Sequence, residues 1–210
     1  MAFVRAQRSF ILPYLLFLLF GLILIISFDQ KELHLLLNSF HNSFLDQLFY
    51  WVTYLGDGRI LIFVPLLYFF TTVRKASYVL VSTAIASITT QLLKRLFEAP
   101  RPSKVFEDAE LYIVNGMNLH KHFSFPSGHS TTAFAFFFCL SILKPKYSLL
   151  FVLLAVLSGF SRVYLSQHFL EDVIGGSLVG ISGALLGLLL NRFFQREKFN
   201  KTLFGFADKL

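Results

Sequence analysis

The sequence predicts an all-α membrane protein: a six-transmembrane-helix bundle with an additional amphipathic helix lying at the outer interface. Three observations predict it. Of the 210 residues, 55% are hydrophobic and only 15% charged, too little charge to cover a soluble domain. The apolar residues gather in six runs divided by charged or turn-forming segments. Between the first two runs, they recur at every third or fourth position, which is the helical period. The length suits one domain, so residues 1–210 read as a single unit.

The first run, Ser9–Phe28, holds no charge and lies between Arg8 and Asp29. Its length suits a span and exceeds the apolar core of a signal peptide, and no small-x-small cleavage site follows it. The segment after it carries Leu37, Phe40, Phe44, Leu48, Val52 and Leu55 at spacings of three or four, with Asn38, Asn42, Asp46 and Gln47 off that stripe. This reads as one outer interfacial helix with Tyr50, Trp51 and Tyr54 as aromatic anchors, ended by Gly56-Asp57-Gly58. The alternative is an extended second span, because the second run, Ile60–Val73, is short for a ~30 Å core at ~1.5 Å per residue.

Ser77–Phe97 is the third span, more polar near its end at Thr89, Thr90 and Gln91; Ser127–Leu143, Tyr147–Tyr164 and Val173–Leu190 are the fourth to sixth. The long loop Ser103–Phe125 reads as a lid or substrate-selecting element, with disorder as the competing reading. Residues 191–210 mix phenylalanines with basic residues, as expected of a cytoplasmic basic tail on the membrane surface. Gly176, Gly180, Gly183 and Gly187 in the sixth span suit close helix packing, or a face for a homo-oligomer.

The net charge of +7 fits loops facing anionic lipid, so membrane lipids and no nucleic acid are the expected partners. Lys and Arg are more numerous in the segments that an N-inside arrangement puts in the cytoplasm, most clearly once Lys94, Arg101 and Arg162 are set aside for chemistry. Both termini are then cytoplasmic, and the loops after spans three and five share the outer face. The expected location is the bacterial inner membrane, multi-pass, with the active site facing the periplasm. Cys139 is the one cysteine, so no intrachain disulfide forms.

Ionisable groups are costly at membrane depth, so their positions carry information. They concentrate at Lys94 to Arg101, at His129, and from Arg162 to Asp172. Lys94, Arg101 and Arg162 are three cations, two with guanidinium forks that match phosphate oxygens. Ser127 and Gly128 open span four, whose free N–H groups make an anion site, and Pro126 is tolerated at such a start. Asp172 follows His168 by four residues, so its carboxylate can hold one ring nitrogen and leave the other free. Two histidines, one carboxylate and three cations read as phosphoryl transfer through a histidine. No metal and no cofactor are expected, because the clusters hold too few carboxylates for a hard cation and no zinc motif. His34, His41, His120 and His122 read as surface or capping residues, with a gating role open for the last two.

Lys94 with Arg101-Pro102 reads K-x6-R-P, Pro126–His129 reads P-S-G-H, and Ser161-Arg162, His168 and Asp172 read S-R-x5-H-x3-D. Together they resemble the three-part signature of the type 2 phosphatidic-acid phosphatase superfamily, across core motifs 94–172 and without departure at a motif position. The resemblance implies that His168 attacks phosphorus to form a phosphohistidine and that Asp172 fixes its tautomer. It implies that His129 protonates the leaving group, and that Lys94, Arg101, Arg162, Ser127 and the Gly128 amide hold the phosphoryl oxygens. The activity so implied is metal-independent hydrolysis of a membrane lipid phosphate monoester or pyrophosphate. A lipid-phosphate phosphotransferase and a non-catalytic lipid-phosphate binder or transporter are the alternatives.

Overall fold

A computed structural model describes residues 7–61, 63, 72–106 and 111–196. All regular structure among them is helical. The helices are α1 (Arg8–Ser27), α2 (Gln30–Asn38), α3 (Ser43–Val52), α4 (Gly58–Leu61), α5 (Val73–Phe97), α6 (Pro102–Val105), α7 (Gly128–Leu143), α8 (Ser148–Tyr164) and α9 (Leu170–Arg196), with 3-10 turns at Thr53–Gly56 and Pro145–Tyr147.

Helices α1, α5, α7, α8 and α9 fall on the first, third, fourth, fifth and sixth predicted spans. Of these, α1, α5, α9 and α8 together with the 3-10 turn before it are long and apolar enough to cross a membrane, and α7 is a shorter apolar helix of 16 residues. Most of the predicted second span, from 62 to 71 apart from 63, and all of the tail beyond 196 lie outside the described residues. An apolar belt covers the bundle: Leu16, Phe20, Ile26, Leu92, Leu96 and Leu189 are each 60–83% exposed. Soluble monomers rarely show contiguous apolar surface on that scale, whereas lipid accepts it at no cost.

Helix α7 lies at the centre, packed on α5, α8 and α9. Small residues of α9 make the approach possible. A Cβ added at Gly180 would stand 2.5 Å from the Thr131 carbonyl oxygen of α7, and one at Gly183 would stand 2.7 Å from the Ala86 side chain of α5. The glycine spacing therefore serves packing inside the bundle, as one of its two readings expected. A core of aromatic side chains fills the space beside α1: Phe10 meets Phe138 edge-on at 5.1 Å, and Phe17 stacks on Phe134 at 5.5 Å. Cys139 is buried there.

The segment before α4 departs from the reading as one helix. Asn42 breaks it, because its side chain accepts from Leu45 N at 3.0 Å and caps α3; Asp29 caps α2 by accepting from Lys31 N at 2.8 Å. On the expected apolar stripe, Phe40, Phe44 and Leu48 are exposed and Leu37, Val52 and Leu55 pack in part against the core, while Leu33, His34, Asn38 and Phe49 are buried. The polar side chains off it are free to bind the loop that follows α6.

His34 is a further correction to the surface reading. It is 2% exposed, stacked on Phe106 at 5.6 Å and edge-on to Phe169 at 5.1 Å, with Nε2 3.3 Å from Ser166 Oγ.

Candidate active site

Three helix ends build the site. Helix α5 stops where Glu98 turns left-handed at φ 44°, which leaves Lys94 in its last turn. The chain then runs antiparallel to the residues before α7: Ser124 N donates to Ala99 O at 2.9 Å, and Arg101 N to Lys121 O at 3.0 Å. This pairing brings Lys94 Nζ to the carbonyls of Phe123 and Ser124. It also brings Arg101 Nε to His122 O at 3.0 Å.

Helix α7 opens at Ser127, whose hydroxyl accepts from Ser130 N at 3.4 Å and from Ser130 Oγ at 3.0 Å. Ser127 is fully buried by this, as a capping residue. Gly128 is different, because the space its Cβ would fill is open for 4 Å. The third end is the tight turn between α8 and α9. Both Gln167 N and His168 N donate to Arg162 O, at 2.9 and 3.1 Å, and Ser166 takes φ 53°. His168 is thereby folded back beside Arg162.

The two halves of the site are joined by main chain: Ser127 N donates to Asp172 O at 2.9 Å. The Asp172 side chain faces the other way. Its Oδ2 accepts from Phe169 N at 2.9 Å and from Ser124 Oγ at 2.5 Å, and lies 3.3 Å from His168 Nδ1. Ser124 Oγ is also 3.3 Å from that nitrogen. His168 is 2% exposed, and burial drives its pKa well below the ordinary imidazole value, helped by Arg101, Arg162 and Lys94. A neutral imidazole with Nδ1 against a carboxylate has Nε2 left for chemistry.

Lys94, Arg101, Gly128, His129, Arg162 and His168 line one open cleft of about 380 Å³. Six of the eight expected site residues therefore meet at one cavity. Ser127 and Asp172 stand behind its wall. The opposite side is formed by Tyr50 and Tyr54, from α3 and the turn after it, and by Met117, Asn118 and His120 of the long loop. His120 thus reaches the cleft, whereas His122 faces Lys104 at 3.4 Å.

Three residues of this site escaped sequence reasoning: Ser124, Thr53 and Gln167. Thr53 Oγ1 accepts from Arg162 Nη1 at 2.6 Å. Thr53 is uncharged and distant in sequence and carried no signal; Ser124 stands two residues before the P-S-G-H motif, but as an uncharged residue it fitted no part of the signature. Gln167 lay inside the S-R-x5-H spacing, where its neighbours could have drawn attention to it.

The PAP2 superfamily model matches residues 75–196, more than half of the chain and all of the cleft's motif residues. The chain belongs to the PAP2 superfamily. Among its relatives, this PAP2 chain is 33% identical over 151 residues to a lipid A 1-phosphatase of Rhizobium etli, covering 61% of this chain and 64% of that protein. It is 28% identical over 158 residues to the undecaprenyl-diphosphatase BcrC of Bacillus subtilis, covering 74% and 78%. The chain thus spans just under two thirds of the length of the lipid A 1-phosphatases it matches. The crystal structure of Aquifex aeolicus LpxE superposes with a TM-score of 0.69 at 30% identity, over 78% of this PAP2 chain and 98% of that one.

Proposed function

We propose that this PAP2 protein is a lipid phosphate phosphatase that hydrolyses a membrane lipid phosphate monoester or pyrophosphate through a phosphohistidine on His168, without a metal. The observation that carries the reading is His168, 3.3 Å from Asp172 behind it and set beside Lys94, Arg101 and Arg162 in one cleft. The names of its relatives, lipid A 1-phosphatase and undecaprenyl-diphosphatase, agree with it.

In the first half-reaction, His168 Nε2 forms a bond to phosphorus as the bond to the leaving oxygen breaks. His129, entering protonated, gives its proton to that oxygen. In the second half-reaction, neutral His129 takes a proton from water, the water oxygen bonds to phosphorus, and the N–P bond breaks to release phosphate and restore His168. Asp172 holds the Nδ1 proton throughout. The three cations and the Gly128 amide, with Ser127 supporting the start of α7, offset charge on the phosphoryl oxygens; these positive groups do the work a metal does elsewhere.

We further propose six spans, with α2 and α3 as the outer interfacial layer, both termini cytoplasmic and the cleft facing the periplasm across the bacterial inner membrane. At ~1.5 Å per residue, α7 is ~24 Å long, less than a ~30 Å hydrocarbon core, so its N-terminus would sit slightly recessed where a lipid headgroup arrives.

Purified full-length protein in detergent tests the reading. Phosphate release should occur from at least one of phosphatidic acid, phosphatidylglycerol phosphate, undecaprenyl pyrophosphate and lipid A. It should persist in EDTA, be inhibited by orthovanadate and vanish in His168→Ala. Undiminished turnover in that variant would sink the mechanism, and release only on adding a divalent cation would sink its metal independence. Labelling a cysteine placed at Asp108 from outside the cell tests the orientation.

A further inference from the structure

Gln167 stands immediately before the nucleophile proposed above and is used by none of the steps. It is 2% exposed, and every polar group it owns is engaged. Its side-chain amide donates through Nε2 to Asn118 O at 3.2 Å. Its Oε1 accepts from Arg162 Nη2 at 3.4 Å. Its backbone carbonyl accepts from Arg101 Nη1 at 3.1 Å, and its backbone N–H donates to Arg162 O at 2.9 Å. One residue therefore touches both guanidinium groups and the loop that roofs the cleft.

The chemistry of the partners fixes which way the amide faces. Asn118 O can only accept and a guanidinium can only donate, so Nε2 must face the loop and Oε1 must face Arg162. Thr53 grips the same guanidinium from the other side at 2.6 Å. With Nη1 and Nη2 each held, the plane of the Arg162 fork is set before any anion arrives. Arg162 Nε is buried and without a hydrogen-bond partner among the described residues. A buried donor left unpaired is costly and points to an acceptor supplied from outside the protein.

We infer that Gln167 is a positioning residue which, with Thr53 as its counterpart, fixes the Arg162 fork and steadies Arg101 for an incoming phosphoryl group. The inference rests on the phosphatase reading above. The acceptor is a tetrahedral oxyanion, whether carried on a lipid or free as phosphate. Preorganised donors aimed at that anion lose less freedom on binding than mobile ones, so release of either anchor weakens anion binding while the helices stay packed.

Inorganic phosphate and orthovanadate binding, read by calorimetry on the full chain in detergent, tests this without knowledge of the lipid. Gln167→Leu keeps the bulk and removes both side-chain hydrogen bonds. It should raise Kd for both anions by about tenfold or more, with the unfolding temperature of the anion-free protein little changed. Gln167→Glu keeps the acceptor but sets a carboxylate on Arg162 in competition with the anion, and should raise Kd further. Thr53→Val should act in the same direction as Gln167→Leu, and decides the matter alone if the Gln167 variants do not fold. Wild-type Kd values in folded Gln167→Leu, or in Thr53→Val where the Gln167 variants are lost, would overturn the inference. His168→Ala assayed for turnover in parallel separates the cases. If that variant is dead and wild type binds phosphate, an unchanged Gln167→Leu removes this inference alone. If wild type binds neither anion, the phosphatase reading and this inference fall together.

Discussion

Ser124 donates its hydroxyl hydrogen to Asp172 Oδ2 at 2.5 Å, a contact between residues 48 positions apart. It holds the carboxylate oxygen that also faces His168 Nδ1. A carboxylate held by Ser124 Oγ and Phe169 N cannot rotate away from the imidazole.

That arrangement ranks two substitutions. Asp172→Asn should lower kcat by between about 10²- and 10⁴-fold, since an amide can favour the wrong tautomer of His168. Ser124→Ala should cost about tenfold, the loss of one hydrogen bond to a charged group. Single-turnover measurement of the phosphohistidine checks both, and equal losses would refute the ranking.

His34 makes acid lability predictable. Burial pushes its pKa down to about 4, against an opposing pull from Asp172. The unfolded imidazole titrates near ~6.5. Between these values the unfolded chain binds a proton that the native protein does not. Stability is therefore full above about 6.5 and declines as pH falls toward about 4, by at most roughly 3 kcal/mol. Unfolding in detergent at pH 7, 6, 5 and 4.5 should show a shallower acid decline in His34→Leu than in wild type. Parallel curves would remove His34 as the cause.

Two glycines should separate packing from chemistry. In Gly180→Ala the new Cβ would meet the Thr131 carbonyl oxygen at 2.5 Å and Ala135 N at 3.0 Å, backbone atoms that cannot turn aside. A loss of about 1–3 kcal/mol is expected in thermal or denaturant unfolding. Gly128→Ala projects into open space and should keep full stability. Its methyl group enters the cleft, so activity should fall about tenfold or more through lost approach to the backbone.

Helices α2 and α3 hold the roof of the cleft through Tyr112. Asn38 Oδ1 accepts from Tyr112 N at 2.9 Å and Asn38 Nδ2 donates to Tyr112 O at 3.0 Å, while Tyr112 Oη donates to Asp46 at 2.7 Å. His41 stacks on the same ring, 3.6 Å between centroids. Asn38→Ala should speed amide hydrogen exchange across residues 112–118 by about tenfold or more, without change in α9. Protection equal to wild type would mean that the other contacts suffice.

The motif residues were legible because a charged side chain in an apolar chain has few structural excuses. Lys94, Arg101, His129, Arg162 and His168 reach one cleft for that reason. The division of that segment into α2 and α3 was not legible. A periodic stripe tells which residues share a face, and says nothing of the caps at Asp29 and Asn42 that start two helices. His34 was misread because nothing near it in sequence announces Phe106, Ser166 and Phe169. Thr53, Ser124 and Gln167 act through hydrogen bonds to groups brought close only by the folded chain. A neutral polar residue has no periodicity or charge to betray such a task. The PAP2 match covers residues 75–196, which leaves Thr53, and the Tyr50 and Tyr54 that line the cleft, outside the matched residues.

The backbone hydrogen bond from Ser127 N to Asp172 O belongs to no side chain, so no replacement short of proline at 127 deletes it. If His168 is the nucleophile, as proposed, a variant stripped of it keeps the cradle, and with it the cleft between Lys94, Arg101 and Arg162. Recognition and reaction are thus separately heritable in this architecture. On the phosphatase reading proposed above, one substitution at His168 would turn a catalyst into a receptor that captures what it can no longer cut.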